Sequence, residues 1–294
     1  MKSLFKTLFI ATTLALTLAA CGDDDDHSSN IHLGGDTEKQ ITQKNASANL
    51  KARLEMPAPK TGNIFVSHAT LEGSDSVVTY SYEFDPAKNH TRWVAWRFDN
   101  KTRKRYVGRG DAWSDDPALP TSMRIGTTYF DGYNRGHICP SADRLYSRQA
   151  NDLTFYMSNM SPQIGDFNAG IWADMENHMR NLGQSPSFCD TLYIVRGGTI
   201  RDDQLKGYIN RPNGLKMAVP KYYFSVALRV KNNTYAAIGF WFEHRAYGAG
   251  ADIAAQVVSI DQIEAKTGID FFHNLPDKVE AVVESTVTPS LWGL

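Results

Sequence analysis

Two short segments in the first half of the chain alternate between aromatic and polar or small residues. Residues 80–84 read Tyr-Ser-Tyr-Glu-Phe, and residues 93–98 read Trp-Val-Ala-Trp-Arg-Phe. Such alternation is typical of strands that bury one face of a sheet. The intervening segment begins with Asp85-Pro86, a pair that favours a turn. The pattern therefore predicts two paired strands joined by a tight connection.

The second half of the chain repeats the strand signal. Residues 191–197 form an apolar run that predicts a buried strand. The runs 222–230 and 235–243 flank Lys-Asn-Asn-Thr at 231–234, and this arrangement predicts a hairpin.

Helices are predicted between these strands. One covers residues 171–182 and another covers 259–267, where Ser259 is suited to cap the start and Gly268 to end the helix. Strands that pair as hairpins, with a few interspersed helices, predict an α+β domain. Its centre is expected to be an antiparallel sheet flanked by helices.

The first twenty residues differ from the rest of the chain. Lys2 and Lys6 precede an apolar stretch, residues 8–20, that ends immediately before Cys21. This pattern predicts a secretory signal peptide, because the run is too short to span a membrane. The ending Leu-Ala-Ala-Cys resembles a bacterial lipobox, which implies cleavage before Cys21 and a lipid on its sulfur. The alternative is an ordinary signal peptide with an incidental cysteine.

Residues 21–60 are polar and open with four consecutive aspartates at 23–26. Such a composition cannot bury enough apolar surface to fold, so we expect a disordered tether followed by one folded domain, residues 61–294. The whole chain carries 31 basic and 32 acidic side chains, and residues 50–294 carry 27 and 26 of these. This balance excludes a stoichiometric nucleic-acid coat but allows an enzyme with a local basic cleft.

The chain contains three cysteines, Cys21, Cys139 and Cys189. Whether Cys139 and Cys189 pair is left open, because pairing requires their Cα atoms to lie within about 7 Å. No Cys/His spacing in the sequence suits a structural zinc site.

The candidate chemistry is concentrated in residues 133–144, which read Tyr-Asn-Arg-Gly-His-Ile-Cys-Pro-Ser-Ala-Asp-Arg. His137 lies among arginines, in what the pattern predicts to be a turn leaving a strand. Further along, polar and aromatic residues recur at intervals of four and would share a stripe of ~120° on one helical face: Asn168, Trp172, Glu176 and Arg180. A histidine that accepts a proton near an amide, a carboxylate and an arginine is suited to metal-assisted hydrolysis of phosphodiesters.

Residues 135–137 (Arg-Gly-His) and 140–144 (Pro-Ser-Ala-Asp-Arg) resemble the signature of the DNA/RNA non-specific endonucleases. This family includes secreted sugar-nonspecific nucleases and endonuclease G. The resemblance extends over most of the domain, through segments 93–96, 159–163, 168–180 and 263–268. It implies the ββα-metal fold and hydrolysis of DNA and RNA. It also implies Mg²⁺ as cofactor, with Mn²⁺ or another divalent ion as the alternative.

The resemblance also implies roles for individual residues. His137 corresponds to the general base, Asn168 to the protein ligand of the metal, and Glu176 to a carboxylate that holds metal-bound waters. Arg109 and Arg180 correspond to arginines that grip phosphate, and Arg105 is a rival to Arg109.

Three further residues are assigned supporting roles, and Asn168 has an alternative role. Asn159 corresponds to a polar position that braces the site, and Arg135 is assigned to substrate binding. Trp172 is expected to pack in the core. Asn168 has helix capping as an alternative to metal binding.

One position departs from the family's motif, which usually begins with Asp where this chain has Asn134. An amide keeps the shape of a carboxylate and loses its charge, so the rate and its pH dependence are affected more than the fold.

The interpretation is an exported bacterial lipoprotein, anchored in the outer membrane in preference to the inner, that cleaves DNA and RNA. Two alternatives stay open. One is a surface protein that binds nucleic acid with weak or no cleavage, and the other is a phosphodiesterase for small or lipid-linked substrates. The oligomeric state is left open.

Overall fold

The computed structural model describes residues 30–33, 52–128 and 130–294. The predicted signal peptide, Cys21 and most of the predicted tether lie outside the described residues. Met56 is buried in the core of the domain, so the packed structure begins a few residues before position 61. Within the described residues, no helix is long and apolar enough to cross a membrane.

The described part of the chain contains strands and helices in mixed order. The strands are β1 (Asn30–Leu33), β2 (Ile64–Glu72), β3 (Asp75–Asp85), β4 (His90–Phe98), β5 (Asn134–His137), β6 (Met160–Gln163), β7 (Thr191–Gly198), β8 (Leu205–Asn210), β9 (Lys216–Pro220), β10 (Tyr222–Lys231), β11 (Thr234–Glu243) and β12 (Val257–Val258). The α-helices are α1 (Arg148–Leu153), α2 (Gly165–Asn168), α3 (Ile171–Gln184), α4 (Ile260–Thr267) and α5 (Asp277–Ser285).

Eight of these strands form the central sheet, in the order β1-β2-β3-β4-β7-β10-β11-β12. All neighbouring pairs are antiparallel except β1 and β2, which are parallel. The predicted α+β architecture, with a central antiparallel sheet flanked by helices, is confirmed. The predicted hairpin is also present, because Asn232 and Asn233 adopt φ values of 48° and 58° between β10 and β11. Asparagine tolerates this left-handed region, which tight hairpin turns require.

The alternation of side chains along β4 divides the core between the two faces of the sheet. Val94 and Trp96 pack on the face covered by α3, in a cluster with Trp172 and Met175. The neighbouring Trp93 and Ala95 pack on the opposite face, in the cluster covered by α4 and α5. Trp172 is 1% exposed, which agrees with its predicted place in the core.

Helix α4 begins and ends where the sequence predicts. The Ser259 hydroxyl accepts a hydrogen bond from the backbone N–H of Gln262, whose side chain accepts one from the backbone N–H of Ser259. This reciprocal pair satisfies two donors that a helix start leaves free. Gly268 ends the helix with a φ of 64°.

Strands β5 and β6 form a separate two-stranded antiparallel ribbon that is followed by α2 and α3. This strand, strand, helix order carries the candidate chemistry. His137 is the last residue of β5, opposite Met160, and the turn predicted around it begins only at Ile138.

The predicted helical stripe is wrong for its first member. Asn168 ends α2, and α3 starts at Ile171, because Gly170 breaks the helix with φ −99° and ψ −122°. The capping alternative for Asn168 is wrong as well, since Gly170 holds the N-cap position and no side chain caps α3. Cys139 and Cys189 are both buried free thiols, so they do not pair.

Candidate active site

An open cleft of about 640 Å³ brings most of the predicted site residues together. Its walls come from strand β5 and the turn that follows it, from the end of α2 and the body of α3, and from the loops at 109–113 and 127–133. The lining residues are Arg109, Trp113, Thr127, Phe130, Tyr133, Asn134, Arg135, His137, Pro140, Ser141, Ala142, Asn168, Glu176 and Arg180.

A second cleft, of about 790 Å³, lies between the ends of β7 and α4. It is larger, but none of the described residues that line it is a histidine. Two of its lysine and arginine side chains already pair with carboxylates, Lys88 with Asp202 and Arg92 with Glu83. Because the smaller cleft gathers a histidine, arginines, an amide and a carboxylate, we take it as the candidate active site.

The ribbon of β5 and β6 positions His137. Gly136 pairs with Ser161, and a Cβ at Gly136 would overlap the side chain of Gln163. Glycine is therefore required at position 136, because the Gln163 side chain lies too close for a Cβ atom. Gln163 is fully buried, and neither its amide oxygen nor its amide nitrogen has a hydrogen-bond partner among the described residues.

Asn159 braces the turn that follows His137. Its Oδ1 accepts a hydrogen bond from Cys139 N at 2.8 Å, and its Nδ2 donates to Cys139 O at 2.9 Å and to Thr154 O at 2.8 Å. Its own carbonyl accepts from Ile138 N at 2.9 Å. Asn159 is fully buried and does not line the cleft, so its position is that of a structural support.

The surroundings of His137 favour its neutral form. Its ring lies 5.1 Å from the ring of Phe155 and 5.4 Å from that of Trp113, measured between centroids. Burial, together with the positive charges of Arg109 and Arg135, lowers the pKa of His137 to about 3. The Nε2 atom is buried and has no hydrogen-bond partner among the described residues, so the cleft can reach only Nδ1.

Two arginines flank this histidine against the same aromatic side chains. The guanidinium of Arg135 lies 3.8 Å from the centre of the Trp113 ring, and that of Arg109 lies 5.2 Å from the centre of Phe155. Stacking on an aromatic face orients a guanidinium without using its N–H groups. One of those groups, on Arg135 Nη1, donates to the Thr127 carbonyl at 3.0 Å. Arg105 is exposed and is not among the residues that line the cleft, so the geometry favours Arg109 over this rival.

A charged network fixes the α3 side of the cleft. Arg180 Nε donates to Asp143 Oδ1 at 2.5 Å, and Arg180 Nη2 lies 3.9 Å from Glu176 Oε2. The other oxygen of Glu176 lies 3.5 Å from Arg196 Nη1. Burial raises the pKa of Glu176 to about 7, although Arg196 opposes this shift.

Asn168 lies half-buried at the cleft, where its main chain is fixed by a 3.0 Å hydrogen bond from its N–H to the Ile164 carbonyl. Its side-chain amide makes no hydrogen bond to any residue in the described ranges. The structure thus places a free amide oxygen and the Glu176 carboxylate on one wall of the cleft.

Sequence reasoning missed three residues that shape this site: Asp143, Gln163 and Arg196. The 140–144 motif contains Asp143 but does not indicate that its carboxylate binds Arg180. Arg196 could have been found, because an arginine within the apolar run 191–197 requires a buried partner. Gln163 carries no such signal, because its importance comes from its contact with Gly136 across the ribbon.

A neutral histidine, three arginines, a free amide oxygen and a partly buried carboxylate in one open cleft are groups suited to the hydrolysis of phosphate esters. Comparisons with known proteins agree with this class. Residues 60–278 match the model of the DNA/RNA non-specific endonuclease family. The chain is 30% identical over 219 residues to a nuclease of Nostoc sp., covering 71% of this chain and 76% of that protein. It is also 30% identical over 233 residues to a nuclease of Serratia marcescens, covering 74% and 83%.

A solved structure shares the fold. The chain aligns with the crystal structure of the EndoG/EndoGI complex with a TM-score of 0.59 and 22% identity, covering 71% of this chain and 87% of the other. The protein therefore belongs to the DNA/RNA non-specific endonuclease family, has its ββα-metal fold and is an endonuclease. Enzymes of this family depend on a divalent metal ion.

Proposed function

We propose that this endonuclease cleaves DNA and RNA with His137 as the general base and a hydrated Mg²⁺ ion held at Asn168. The observation that supports this proposal most is the convergence of His137, Asn168, Glu176 and three arginines on a single open cleft.

His137 is the group that would activate water. With its pKa lowered to about 3, it is neutral across the physiological pH range and keeps a ring nitrogen free to accept a proton. Arg109 and Arg135 contribute to this low pKa, so a negatively charged phosphate bound to them would raise it toward the working pH. Since Nε2 is buried, Nδ1 is the atom that would take the proton from an attacking water molecule. The hydroxide so formed attacks phosphorus as the ester bond from phosphorus to the departing oxygen breaks, that oxygen takes a proton from water, and the protonated ring returns its own proton to solvent.

The residues on the α3 side fit a divalent ion. Asn168 offers an amide oxygen that no described residue occupies, and Glu176 offers a carboxylate whose pKa is raised by burial to about 7, so that a cation bound nearby would favour its charged form. Mg²⁺ retains most of its waters and suits a site with one direct protein ligand. Glu176 would accept hydrogen bonds from these waters. The bound ion would neutralise charge on the phosphate and stabilise the departing oxygen.

The arginines would hold the phosphate. Arg109 and Arg135 project their guanidinium groups beside His137, and Arg180 is fixed by Asp143 on the opposite wall. A guanidinium can contact two phosphate oxygens at once and stays charged. Contacts to phosphate and metal carry no information on base sequence, so cleavage without sequence preference is expected.

The open shape of the cleft favours a polymer over a small substrate. A test compares supercoiled plasmid, single-stranded RNA and bis(p-nitrophenyl) phosphate as substrates, each with Mg²⁺, with Mn²⁺ and with EDTA. Metal-dependent cleavage of both polymers supports the proposal. Binding of both without cleavage under all conditions would support the nucleic-acid-binding alternative. Rapid turnover of the small diester alone would support the small-substrate phosphodiesterase.

We further propose that the enzyme is exported and anchored by a lipid on Cys21, in the outer membrane in preference to the inner. The support is the lipobox-like sequence before Cys21 and the polar segment that follows it. Replacement of Cys21 by serine should move the enzyme from the membrane fraction to the soluble fraction. If the wild-type protein is already soluble after export, the anchor is absent.

A further inference from the structure

Three carboxylates meet where helices α4 and α5 pack together, on the sheet face opposite α3. Asp261 and Glu264 lie on α4, and Glu284 lies on α5. Each residue provides a carboxylate oxygen, and these oxygens all lie within 4.8 Å of one another. Neither Asp261 nor Glu284 forms an ion pair or hydrogen bond with another side chain in the described ranges.

Glu284 is the member of this group that needs explanation. It is only 6% exposed, and its Oε1 atom has no hydrogen-bond partner among the described residues. A buried, unpaired carboxylate is unfavourable unless it binds a cation or retains a proton. Glu264 is already oriented by a 2.7 Å hydrogen bond from Phe271 N to its Oε1, which presents the carboxylate in a fixed position beside Glu284.

We propose that Asp261, Glu264 and Glu284 bind a Ca²⁺ ion, at a site separate from the catalytic cleft. The three carboxylates provide only oxygen ligands, which suit a hard cation, and their oxygens lie within 4.8 Å of one another. Ca²⁺ accepts irregular sets of oxygens at about 2.3–2.6 Å, whereas Mg²⁺ requires a nearly ideal octahedron at about 2.1 Å. This tolerance favours Ca²⁺ at a site formed by side chains of two helices, and water molecules would complete its coordination.

The wider surroundings are also negative. Burial, followed by the nearby carboxylates of Glu264 and Glu280, raises the pKa of Glu284 to about 8, and Asp261 and Asp270 act in the same direction. A bound divalent cation would neutralise the repulsion between these carboxylates. It would also join α4 to α5, whose Ile263 and Val283 pack in the same hydrophobic cluster. The site would thus stabilise the helical layer that covers one face of the sheet.

The alternative occupant is a proton shared between Glu264 and Glu284. A bound Ca²⁺ ion and a shared proton are distinguished by Ca²⁺ titration of the full chain carrying Asn168→Ala. This substitution removes the proposed ligand of the catalytic metal. Isothermal calorimetry gives the Kd, and thermal unfolding gives the Tm. We expect a Kd below about 1 mM, and a Tm increase of about 5 °C or more at Ca²⁺ concentrations 100-fold above the Kd.

In the same Asn168→Ala background, Glu284→Gln and Asp261→Asn should each weaken Ca²⁺ binding at least tenfold. Asp261 is exposed, so its replacement leaves the core intact even if Glu284→Gln fails to fold. Asp277→Asn is the matched control, because it removes one negative charge from α5 outside the cluster and should leave the Kd unchanged. The absence of a Ca²⁺-induced Tm shift, or equal binding by Asp261→Asn and Asp277→Asn, would overturn the proposal. A Glu284→Gln or Asp261→Asn variant with an intact Asn168 could lose Ca²⁺ binding at this site and keep full nuclease activity. That result would be consistent with the proposed function, because the two sites are separate.

Discussion

Replacement of Arg196 by methionine should destabilise the enzyme in a pH-dependent way. Arg196 is fully buried; its Nη1 lies 3.5 Å from Glu176 Oε1, and its guanidinium lies 5.1 Å from the ring centre of Trp96 and 5.7 Å from that of Trp172. Methionine has a similar length and preserves the apolar contacts, so the variant mainly removes the charge and the 3.1 Å hydrogen bond to Ser225 Oγ.

The geometry of the pair sets the size of the effect. At 3.5 Å and an effective dielectric constant of about 20, the attraction between Arg196 and Glu176 amounts to roughly 5 kcal/mol. Removal of one partner of a buried pair typically costs about 3–5 kcal/mol. Because Arg180 still lies near Glu176 and can compensate in part, we expect a loss of about 2–4 kcal/mol at pH 8 in EDTA.

The pH dependence isolates the charge effect. The pKa of Glu176 is about 7, so at pH 5.5 the carboxyl group is largely protonated and the loss should fall below about half of its value at pH 8. Urea unfolding at both pH values measures this difference. The double variant Glu176→Gln/Arg196→Met should recover most of the stability lost by Arg196→Met. Equal losses at both pH values, or an additive double variant, would refute the reasoning.

Three further predictions concern the support of the site. Gly136→Ala should lower the free energy of unfolding by about 1–3 kcal/mol and reduce kcat sharply, since the new methyl group overlaps Gln163; urea unfolding and plasmid cleavage measure both effects. Without metal, wild-type stability is expected to fall by about 3 kcal/mol as the pH rises from about 4.5 through 7, because folding raises the pKa of Glu176, and Glu176→Gln should abolish that fall. Asn159→Ala removes three buried hydrogen bonds and should cost about 2–4 kcal/mol, whereas an unchanged Tm would show that Asn159 does not brace the turn that follows His137.

Local signals in the sequence were sufficient for much of the fold. The capping box at Ser259, the stop at Gly268 and the Asn232-Asn233 hairpin all depend on residues close in sequence, and the structure places each as predicted. Five of the eight strands of the central sheet (β3, β4, β7, β10 and β11) were predicted from local patterns, and alternation along β4 matches the two faces of the core. Strands β1, β2 and β12 were not predicted.

The predictions that failed depended on contacts between distant segments or on a local break in a helix. The stripe from Asn168 to Arg180 assumed one continuous helix, but Gly170 separates α2 from α3. The pairing of Arg196 with Glu176 joins a central strand to α3, and a sequence gives no distance between two such elements. The family resemblance compensated for this gap, because it identified the cleft residues without requiring their distances.

The central claim is that His137 activates the attacking water, and the most direct measurement is kcat/KM for plasmid cleavage by wild type and His137→Ala with Mg²⁺. We expect a loss of at least about 10²–10⁴-fold in the variant, with an unchanged Tm and partial restoration of activity by added imidazole. Because the pKa of His137 is about 3, the activity of the wild type at pH 5.5 should not be limited by protonation of this residue. A folded His137→Ala variant that retains near wild-type kcat/KM would contradict the account.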